Sequence, residues 1–301
     1  MLSKLHHWVR TTPWVGRVVL RSIPDWAWKV SIDRIGKMEI RLRRNRGYWL
    51  RSPLSNDGFM MGALARLVHP GDVVYDIGAN IGLYSRFLVQ EFKASKVYAF
   101  EPMSENRPQL NRNLVIGGCL DQVVVLPFAV ADEDGTAEFQ VDTLTSNSGS
   151  LDAVTHGRAS QSHVQYDLPP VSETVQVFRL DSLIANQNLF PPNVVKIDIE
   201  GAEAMALRGA PKLLSETKPQ LVVELHGAEV AREVLQILWD CGYCCFGYLE
   251  VSGRHVYKKL EPTDLISITG KYSLHFIAAT AQEEILRKAI ETPSWIRSDG
   301  A

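Results

Sequence analysis

The sequence predicts an α/β fold with a mostly parallel sheet, because short apolar runs alternate along it with helical patterns. The opening unit lies at residues 73–82, where a strand-like run leads into a glycine turn and then a helix. A second unit of the same kind lies at residues 194–203, and the apolar runs at 96–102 and 221–227 also end in polar residues. This order is typical of sheets that bind ligands at the carboxyl ends of their strands.

Length and composition indicate an ordinary globular protein of one or two domains. The chain has 301 residues, of which 46% are hydrophobic and 22% are charged. It contains no run of about 18 apolar residues, and arginines interrupt the N-terminal region, where a secretory signal would have a continuous apolar stretch. The four cysteines match neither a secreted disulfide pattern nor zinc-site spacing. We therefore expect a cytoplasmic protein without a transmembrane segment.

Charge and aromatic content divide the chain into three predicted parts. Residues 1–51 contain twelve Lys or Arg and only three Asp or Glu, together with five tryptophans. We expect residues 1–55 to form a basic helical cap that packs on the main domain rather than on a membrane surface, although residues 40–43 alternate like an edge strand. The main domain spans residues 56–281, and residues 282–301 form a C-terminal helix and tail.

Asp76, at the end of the first strand, distinguishes between nucleotide ligands. A carboxylate there would repel the pyrophosphate of a dinucleotide, and Asn80 replaces the middle glycine of a dinucleotide fingerprint. The same carboxylate suits S-adenosylmethionine (SAM), whose ammonium and sulfonium groups are positive. Gly78 and Gly82 would let this cofactor approach backbone N–H groups. An acid that only caps a helix is the structural alternative.

The next two strands complete the predicted cofactor site. Glu101 ends the second strand and is placed to accept hydrogen bonds from both ribose hydroxyls, a feature that dinucleotide-binding proteins share. Ala129 lies where a small residue would flank an adenine ring. The predicted cofactor-binding residues are therefore Asp76, Gly78, Ala79, Asn80, Gly82, Glu101 and Ala129.

Acids and a histidine follow two later strands and form the predicted catalytic site. Asp198 and Glu200 share one face of a strand, and Glu224 and His226 share one face of the next, because side chains alternate. Glu200 is the first candidate for a general base, with Asp198 or His226 as alternatives. Glu203 falls in the first turn of a helix, where an acid is favoured for structural reasons.

Residues between the third strand and the second unit predict an insertion. Residues 135–141 and 174–180 alternate with period two and look like a paired β insert. Residues 143–170, rich in polar and small residues, form a long loop between them that is typical of a lid or a disordered segment.

Three motifs, taken in order, resemble the FkbM-type SAM-dependent methyltransferases. They are VYDIGANIGLYS at residues 74–85, FEP at 100–102 and KIDIEGAE at 196–203. The ordered set carries the resemblance, since many Rossmann-like enzymes have the first motif alone. It covers residues 55–280 and implies a Rossmann-like class I methyltransferase fold with a seven-stranded sheet, antiparallel only at its terminal strand. The implied chemistry is O-methylation of a small molecule or a sugar, with no nucleic-acid partner.

Three alternatives stay open beside this interpretation. In a metal-assisted methyltransferase, Asp198, Glu200, Glu224 or His226 would hold a hard cation, although we assign no metal site. An NAD-dependent dehydrogenase is disfavoured by Asp76 and Asn80. A non-catalytic scaffold would need none of the acids that the chain retains.

Overall fold

The computed structural model of the chain describes residues 22–45, 58–141, 149–151, 171–251, 254–267 and 276–281. The helices are α1 (Gly58–Leu67), α2 (Leu83–Gln90), α3 (Arg107–Gly117), α4 (Leu180–Asn186), α5 (Glu203–Arg208) and α6 (Ala228–Asp240). A π-helical turn spans Leu213–Thr217, and a 3₁₀ turn spans Pro262–Ser267. None of the helices in these ranges is long and apolar enough to cross a bilayer.

The strands in the first half of the chain are β1 (Ala27–Ile32), β2 (Gly36–Arg41), β3 (Val73–Ile77), β4 (Lys96–Phe100), β5 (Val123–Leu126), β6 (Phe128–Val130) and β7 (Gly135–Val141). Those that follow are β8 (Gly149–Leu151), β9 (Ser172–Phe178), β10 (Val194–Ile197), β11 (Gln220–Glu224), β12 (Cys244–Val251), β13 (Arg254–Leu260) and β14 (Phe276–Thr280).

The main sheet has eight strands in the order β13-β12-β14-β11-β10-β3-β4-β5. The five strands from β11 to β5 are parallel neighbours, and β14 is inserted antiparallel between β11 and β12. The predicted mostly parallel α/β sheet is therefore confirmed. The eighth strand is β13, which forms a hairpin with β12 and extends the sheet by one strand beyond the seven expected.

Helices cover both faces of this sheet, which explains why its central strands are almost continuously apolar. Along β3, Val74 packs into one core, whereas Tyr75 and Ile77 pack into the other. The first core contains side chains of α1, α2 and α3, and the second contains side chains of α4, α5 and α6. Because β11, β10, β3, β4 and β5 run parallel, their polar carboxyl ends lie at one edge of the sheet.

The described part of the predicted cap is a β-hairpin rather than a helix. Strands β1 and β2 pair antiparallel, and Met38 and Ile40 of β2 are fully buried. Their spacing of two residues matches a strand with one buried face, which explains why the helical prediction was wrong there. The buried guanidinium of Arg86 in α2 fastens the hairpin by donating to the backbone carbonyls of Ile35 and Lys37. The remainder of the predicted cap lies outside the described residues.

A second sheet, in the order β6-β9-β7-β8, forms the predicted insert. Strands β7 and β9 pair antiparallel, which confirms the pairing expected from their alternating patterns. Strand β8 pairs with β7 and belongs to the predicted loop, so part of that loop is ordered as a strand. The rest of the loop, and the predicted C-terminal helix and tail, lie outside the described residues.

Candidate active site

The turn after β3 is shaped by Gly78, which has a φ of +81°. Its N–H and that of Ala79 both donate to the carbonyl of Phe100, so the turn is tied to the end of β4. A Cβ at Gly78 would lie 1.9 Å from the carbonyl oxygen of Asp198. The glycine therefore permits two things at once, a left-handed backbone and close contact with the turn that follows β10.

Gly82 lies where helix α2 begins, close to helix α3. It does not line the pocket, and a Cβ there would lie 2.5 Å from the Cδ1 atom of Leu110 in α3. With a φ of +87° it begins helix α2. Gly82 thus allows close packing between α2 and α3, and its predicted contact with the cofactor stays a prediction.

Glu101 is held in place by backbone donors at the end of β4. Its carboxylate accepts from the N–H of Asn80 at 2.7 Å and from the N–H of Met103 at 2.9 Å, with the Asn106 amide at 3.3 Å. Burial raises the pKa of Glu101 to about 7, although these hydrogen bonds oppose the shift. The prediction that Glu101 faces the cofactor pocket agrees with its position in the wall.

One pocket brings the two predicted sites together at the carboxyl edge of the sheet. Its wall includes the predicted cofactor residues Gly78, Ala79, Asn80, Glu101 and Ala129. The acidic side chains of Asp198, Glu200 and Glu224 form another part of the wall, and the insert contributes Phe139 and Leu151. The pocket is thus apolar on the insert side and acidic beyond the ends of β10 and β11.

Asp76 does not lie in this wall, and its predicted contact with the cofactor stays a prediction. Its side chain is fully buried, and it accepts a hydrogen bond from Ser85 Oγ at 2.6 Å. The ammonium of Lys196, also fully buried, lies 3.1 Å from Asp76 Oδ1. The carboxylate is therefore neutralised inside the protein, because a buried charge needs a partner there.

Lys196 connects the two halves of the site. Its Nζ donates to the carbonyls of Gly78 at 2.8 Å and Ile77 at 3.3 Å, and it lies 3.9 Å from Asp198 Oδ2. The pKa of Lys196 is raised, because the charges of Asp76 and Asp198 outweigh the effect of burial, which lowers it. One cation therefore supports the glycine turn and an acid of the opposite wall.

Glu200 occupies a strained position between β10 and α5. Strand β10 ends at Ile197, so Glu200 belongs to a turn rather than to a strand face as predicted. Its φ is +54°, in the left-handed region that few residues other than glycine adopt. Such a conformation costs about 1–3 kcal/mol and is common where a side chain must be aimed at a functional site. Here it accompanies a carboxylate that lines the pocket.

His226 lies behind the acidic wall and faces all three of its carboxylates. Its Nε2 is 3.5 Å from Glu200 Oε2, 3.8 Å from Glu224 Oε1 and 3.9 Å from Asp198 Oδ1. Its Nδ1 is 2.7 Å from Oε1 of Glu203, which is fully buried. The prediction that these groups meet at the ends of β10 and β11 is confirmed by geometry.

The acids around His226 change its protonation. Burial lowers its pKa, but the hydrogen bond and charge of Glu203, with the charges of Glu200 and Asp198, raise it to about 10. These acids therefore favour the protonated form of the His226 imidazole.

Ligand atoms of Asp198, Glu224 and His226 all lie within 4.8 Å of one another. This spacing is compatible with one small cation, for which carboxylate oxygen and imidazole nitrogen are suitable donors. Asp198, Glu224 and His226 are three of the four residues named for a cation in the metal-assisted alternative, and the structure brings these three together.

Residues 76–245 match the model of the methyltransferase FkbM domain family. The chain belongs to this family. Among its relatives is the 31-O-demethyl-FK506 methyltransferase FkbM of Streptomyces tacrolimicus, which is 30% identical over 197 residues, 58% of this chain and 74% of that protein. The hexuronic acid methyltransferase AglP of Haloferax volcanii is 25% identical over 190 residues, covering 63% and 71%.

A solved structure of an FkbM methyltransferase, from Methylobacillus flagellatus KT, is also similar to this chain. It is 19% identical, with a TM-score of 0.40, and the match covers 69% of this chain and 43% of the other. Membership of the FkbM methyltransferase family overturns the dehydrogenase alternative considered from the sequence.

Lys196 and Glu203 contact predicted site residues but were not themselves predicted from the sequence as site residues. Lys196 was noted only as part of a motif, although a lysine inside an otherwise apolar strand must find a buried partner. Glu203 was assigned only to the start of a helix, although it belongs to the same motif as Glu200. Asp76, the partner of Lys196, and His226, the partner of Glu203, are both distant in sequence, so spacing alone does not identify these contacts.

Proposed function

We propose that this FkbM-family chain transfers the methyl group of SAM to a hydroxyl group of a carbohydrate or another small molecule. The observation that carries the proposal is a single pocket with two unlike walls. One wall holds the glycine turn and Glu101, and the other holds three carboxylates. The first suits a nucleoside, and the second suits a molecule that offers hydroxyl groups.

The relatives support this class of acceptor. One acts on a 31-O-demethyl compound and the other on a hexuronic acid, according to their names. A carbohydrate hydroxyl donates well to a carboxylate, and a hydrogen bond to a charged group contributes about 1.5–3 kcal/mol. Asp198 and Glu224 are therefore the proposed acceptor-holding residues of this chain.

The residues of the glycine turn fit SAM. Gly78, whose missing Cβ leaves room beside Asp198, keeps the main chain at the pocket wall. Glu101 is oriented by two backbone N–H groups and the Asn106 amide, and its Oε2, which accepts only one of these bonds, keeps a lone pair for a ribose hydroxyl. SAM supplies the electrophilic methyl group when it is bound. Asp76 acts indirectly in this scheme, through Lys196 and the carbonyl of Gly78.

Glu200 is the proposed general base. Glu200 lines the pocket, whereas His226 lies behind the wall. The strained backbone of Glu200 aims its carboxylate at the acidic part of the pocket, where we place the methyl acceptor. Transfer of a methyl group to oxygen requires removal of the hydroxyl proton, and a positioned base contributes about 10²–10⁴ in rate. Alignment of the hydroxyl with the methyl group supplies the remainder.

The test combines binding and turnover. Calorimetry should show that the protein binds SAM and S-adenosylhomocysteine (SAH), and radiolabelled SAM should transfer its methyl group to members of a panel of sugars and uronic acids. Glu200→Gln should lower turnover by about 10²–10⁴ while SAM affinity stays constant. Glu229→Gln, at an exposed acid of α6, serves as the matched control and should retain full turnover.

Three outcomes would contradict parts of this assignment. Full turnover in Glu200→Gln would move the base to Asp198 or His226. Loss of SAM binding in the same variant would show that the two walls are not separate in function. Absence of SAM binding by the native protein would overturn the proposed cofactor.

A metal-assisted form of the same reaction is the second candidate, favoured by the spacing of Asp198, Glu224 and His226. These residues would hold a divalent cation, which lowers the pKa of a bound hydroxyl when present. Removal of metal with a chelator should then abolish turnover, and magnesium or manganese should restore it. Turnover that is unchanged by the chelator leaves the carboxylate base as the mechanism.

A further inference from the structure

We propose that Glu203 is a positioning residue that fixes the imidazole of His226 at the acceptor end of the pocket. The inference rests on the proposed function, because it assigns the acidic wall to the methyl acceptor. It gives Glu203 a role beyond that of an acid at the start of a helix.

The contacts of the imidazole ring define this role. Oε1 of Glu203 accepts from His226 Nδ1 at 2.7 Å and from the N–H of Gly201 at 3.0 Å. The two ring nitrogens point in different directions, so a bond at Nδ1 determines where Nε2 is aimed. It is aimed at three carboxylate oxygens that lie 3.5–3.9 Å away, on Glu200, Glu224 and Asp198.

The burial of Glu203 is not explained by helix stabilisation. A favourable interaction with the helix dipole contributes about 0.3–1 kcal/mol, whereas removing a charge from water costs several kcal/mol. Helix α5 has only six residues, which limits its dipole further. Glu229 occupies the first turn of the longer helix α6 and is exposed. A helix-start acid therefore needs no burial in this protein, and the bond to His226 supplies the reason for it.

The position of the imidazole matters because the wall concentrates negative charge. The carboxylates of Asp198 and Glu224 have oxygens within 4.8 Å of each other, and like charges at this distance repel. The Nε2 atom of the imidazole lies 3.8–3.9 Å from an oxygen of each, so the position of the ring constrains the positions of both carboxylates. If the ring turned, the carboxylates would separate, and the acceptor would lose its alignment with the methyl group.

The test is the hydrogen-bonded Nδ1–H signal of His226 in imidazole ¹⁵N–¹H spectra of the full chain without added ligand. The chain has eight histidines, so His226→Gln assigns the signal by removing it. Glu203→Gln should shift this signal and increase its rate of exchange with water. The matched control, Glu229→Gln, should leave it unchanged. This readout requires no methyl acceptor, so it remains valid if the proposed function fails.

Turnover on an acceptor from the sugar panel supplies the second readout. Glu203→Gln should lower kcat by about 10- to 100-fold, the usual effect of removing a residue that orients a functional histidine. SAM affinity should remain within twofold. The double variant Glu203→Gln/His226→Gln should be no slower than His226→Gln alone, because Glu203 acts through the histidine.

Glu203→Asp separates positioning from helix stabilisation if the glutamine variant does not fold. It keeps an acid at the start of α5 but shortens the side chain by one methylene, so the contact with Nδ1 should be lost. A shifted Nδ1–H signal with reduced kcat in Glu203→Asp supports the proposal. An unchanged Nδ1–H signal in either Glu203 variant overturns it, as would an additive loss of kcat in the double variant.

Discussion

The two walls of the pocket are built by different means. At the cofactor wall, Glu101 is only 4% exposed and accepts hydrogen bonds from two backbone N–H groups. The acidic wall is the proposed acceptor wall. There the side chains of Asp198, Glu200 and Glu224 are 27–30% exposed and face the imidazole of His226. One wall is thus formed largely by main chain and one locked acid, and the other by side chains that face one another.

This difference suits the two proposed ligands. A cofactor that is the same in every turnover can be bound by rigid backbone groups, which require no reorganisation. An acceptor with several hydroxyl groups needs donors and acceptors on side chains, whose identity can vary while the fold is kept. Lys196 contacts both walls, through the carbonyl of Gly78 and the carboxylate of Asp198.

The largest effect is expected from breaking this connection. Lys196→Met keeps a long side chain but leaves Asp76 as an uncompensated buried charge. We expect a loss of about 3–5 kcal/mol in the free energy of unfolding, measured by urea denaturation. The double variant Asp76→Asn/Lys196→Met removes both charges and should recover a substantial part of this loss. A double variant less stable than Lys196→Met would show that Asp76 is not the buried charge that Lys196 compensates.

The cofactor wall was the easier one to predict from sequence, because its parts follow one another in the chain. Gly78, Ala79 and Asn80 form a turn whose chemistry is local, and Glu101 directly follows the adjacent strand. The partner of Asp76 could not be predicted, because alternation alone does not tell which neighbour a buried carboxylate meets. Its partner Lys196 is 120 positions away and becomes adjacent only when β10 pairs with β3.

The acceptor wall was predicted in outline and not in detail. The meeting of acids after β10 and β11 followed from the rule that parallel strands end at one edge. The contact between Glu203 and His226 did not, because it depends on how α5 lies beside the end of β11. In the cap, the alternation at β2 was visible in the sequence, but arginine and tryptophan content favoured the helical interpretation, which was wrong for the hairpin.

Close contact between the two walls gives the next prediction. Gly78→Ala would place a methyl group against the carbonyl of Asp198, in addition to straining a φ of +81°. Gly71, with a φ of +94° and open space around its Cβ position, offers a control for the backbone strain alone. We expect Gly78→Ala to lose about 1–3 kcal/mol more stability than Gly71→Ala, measured by urea denaturation. Equal losses would mean that the turns can separate without cost.

The smallest effect concerns the burial of Glu101, and it appears only as a change with pH. Burial raises the pKa of this carboxyl group from its ordinary 4.5 to about 7. Between these values the folded protein keeps a proton that the unfolded chain has released. The contribution of Glu101 to stability is therefore fully present below about pH 4.5 and is lost as the pH rises through about 7.

Glu101→Gln removes this titration while keeping the shape of the side chain. The variant should have a constant offset in stability, since an amide cannot accept from both N–H groups as a carboxylate does. The free energy of unfolding of the native protein, minus that of the variant, should fall by up to about 1.4 kcal/mol for each pH unit between pH 5 and 7. Urea denaturation without ligand at several pH values measures this difference. A difference that is constant with pH would show that Glu101 is ionised throughout this range, so that the cofactor wall would carry a full negative charge like the acceptor wall.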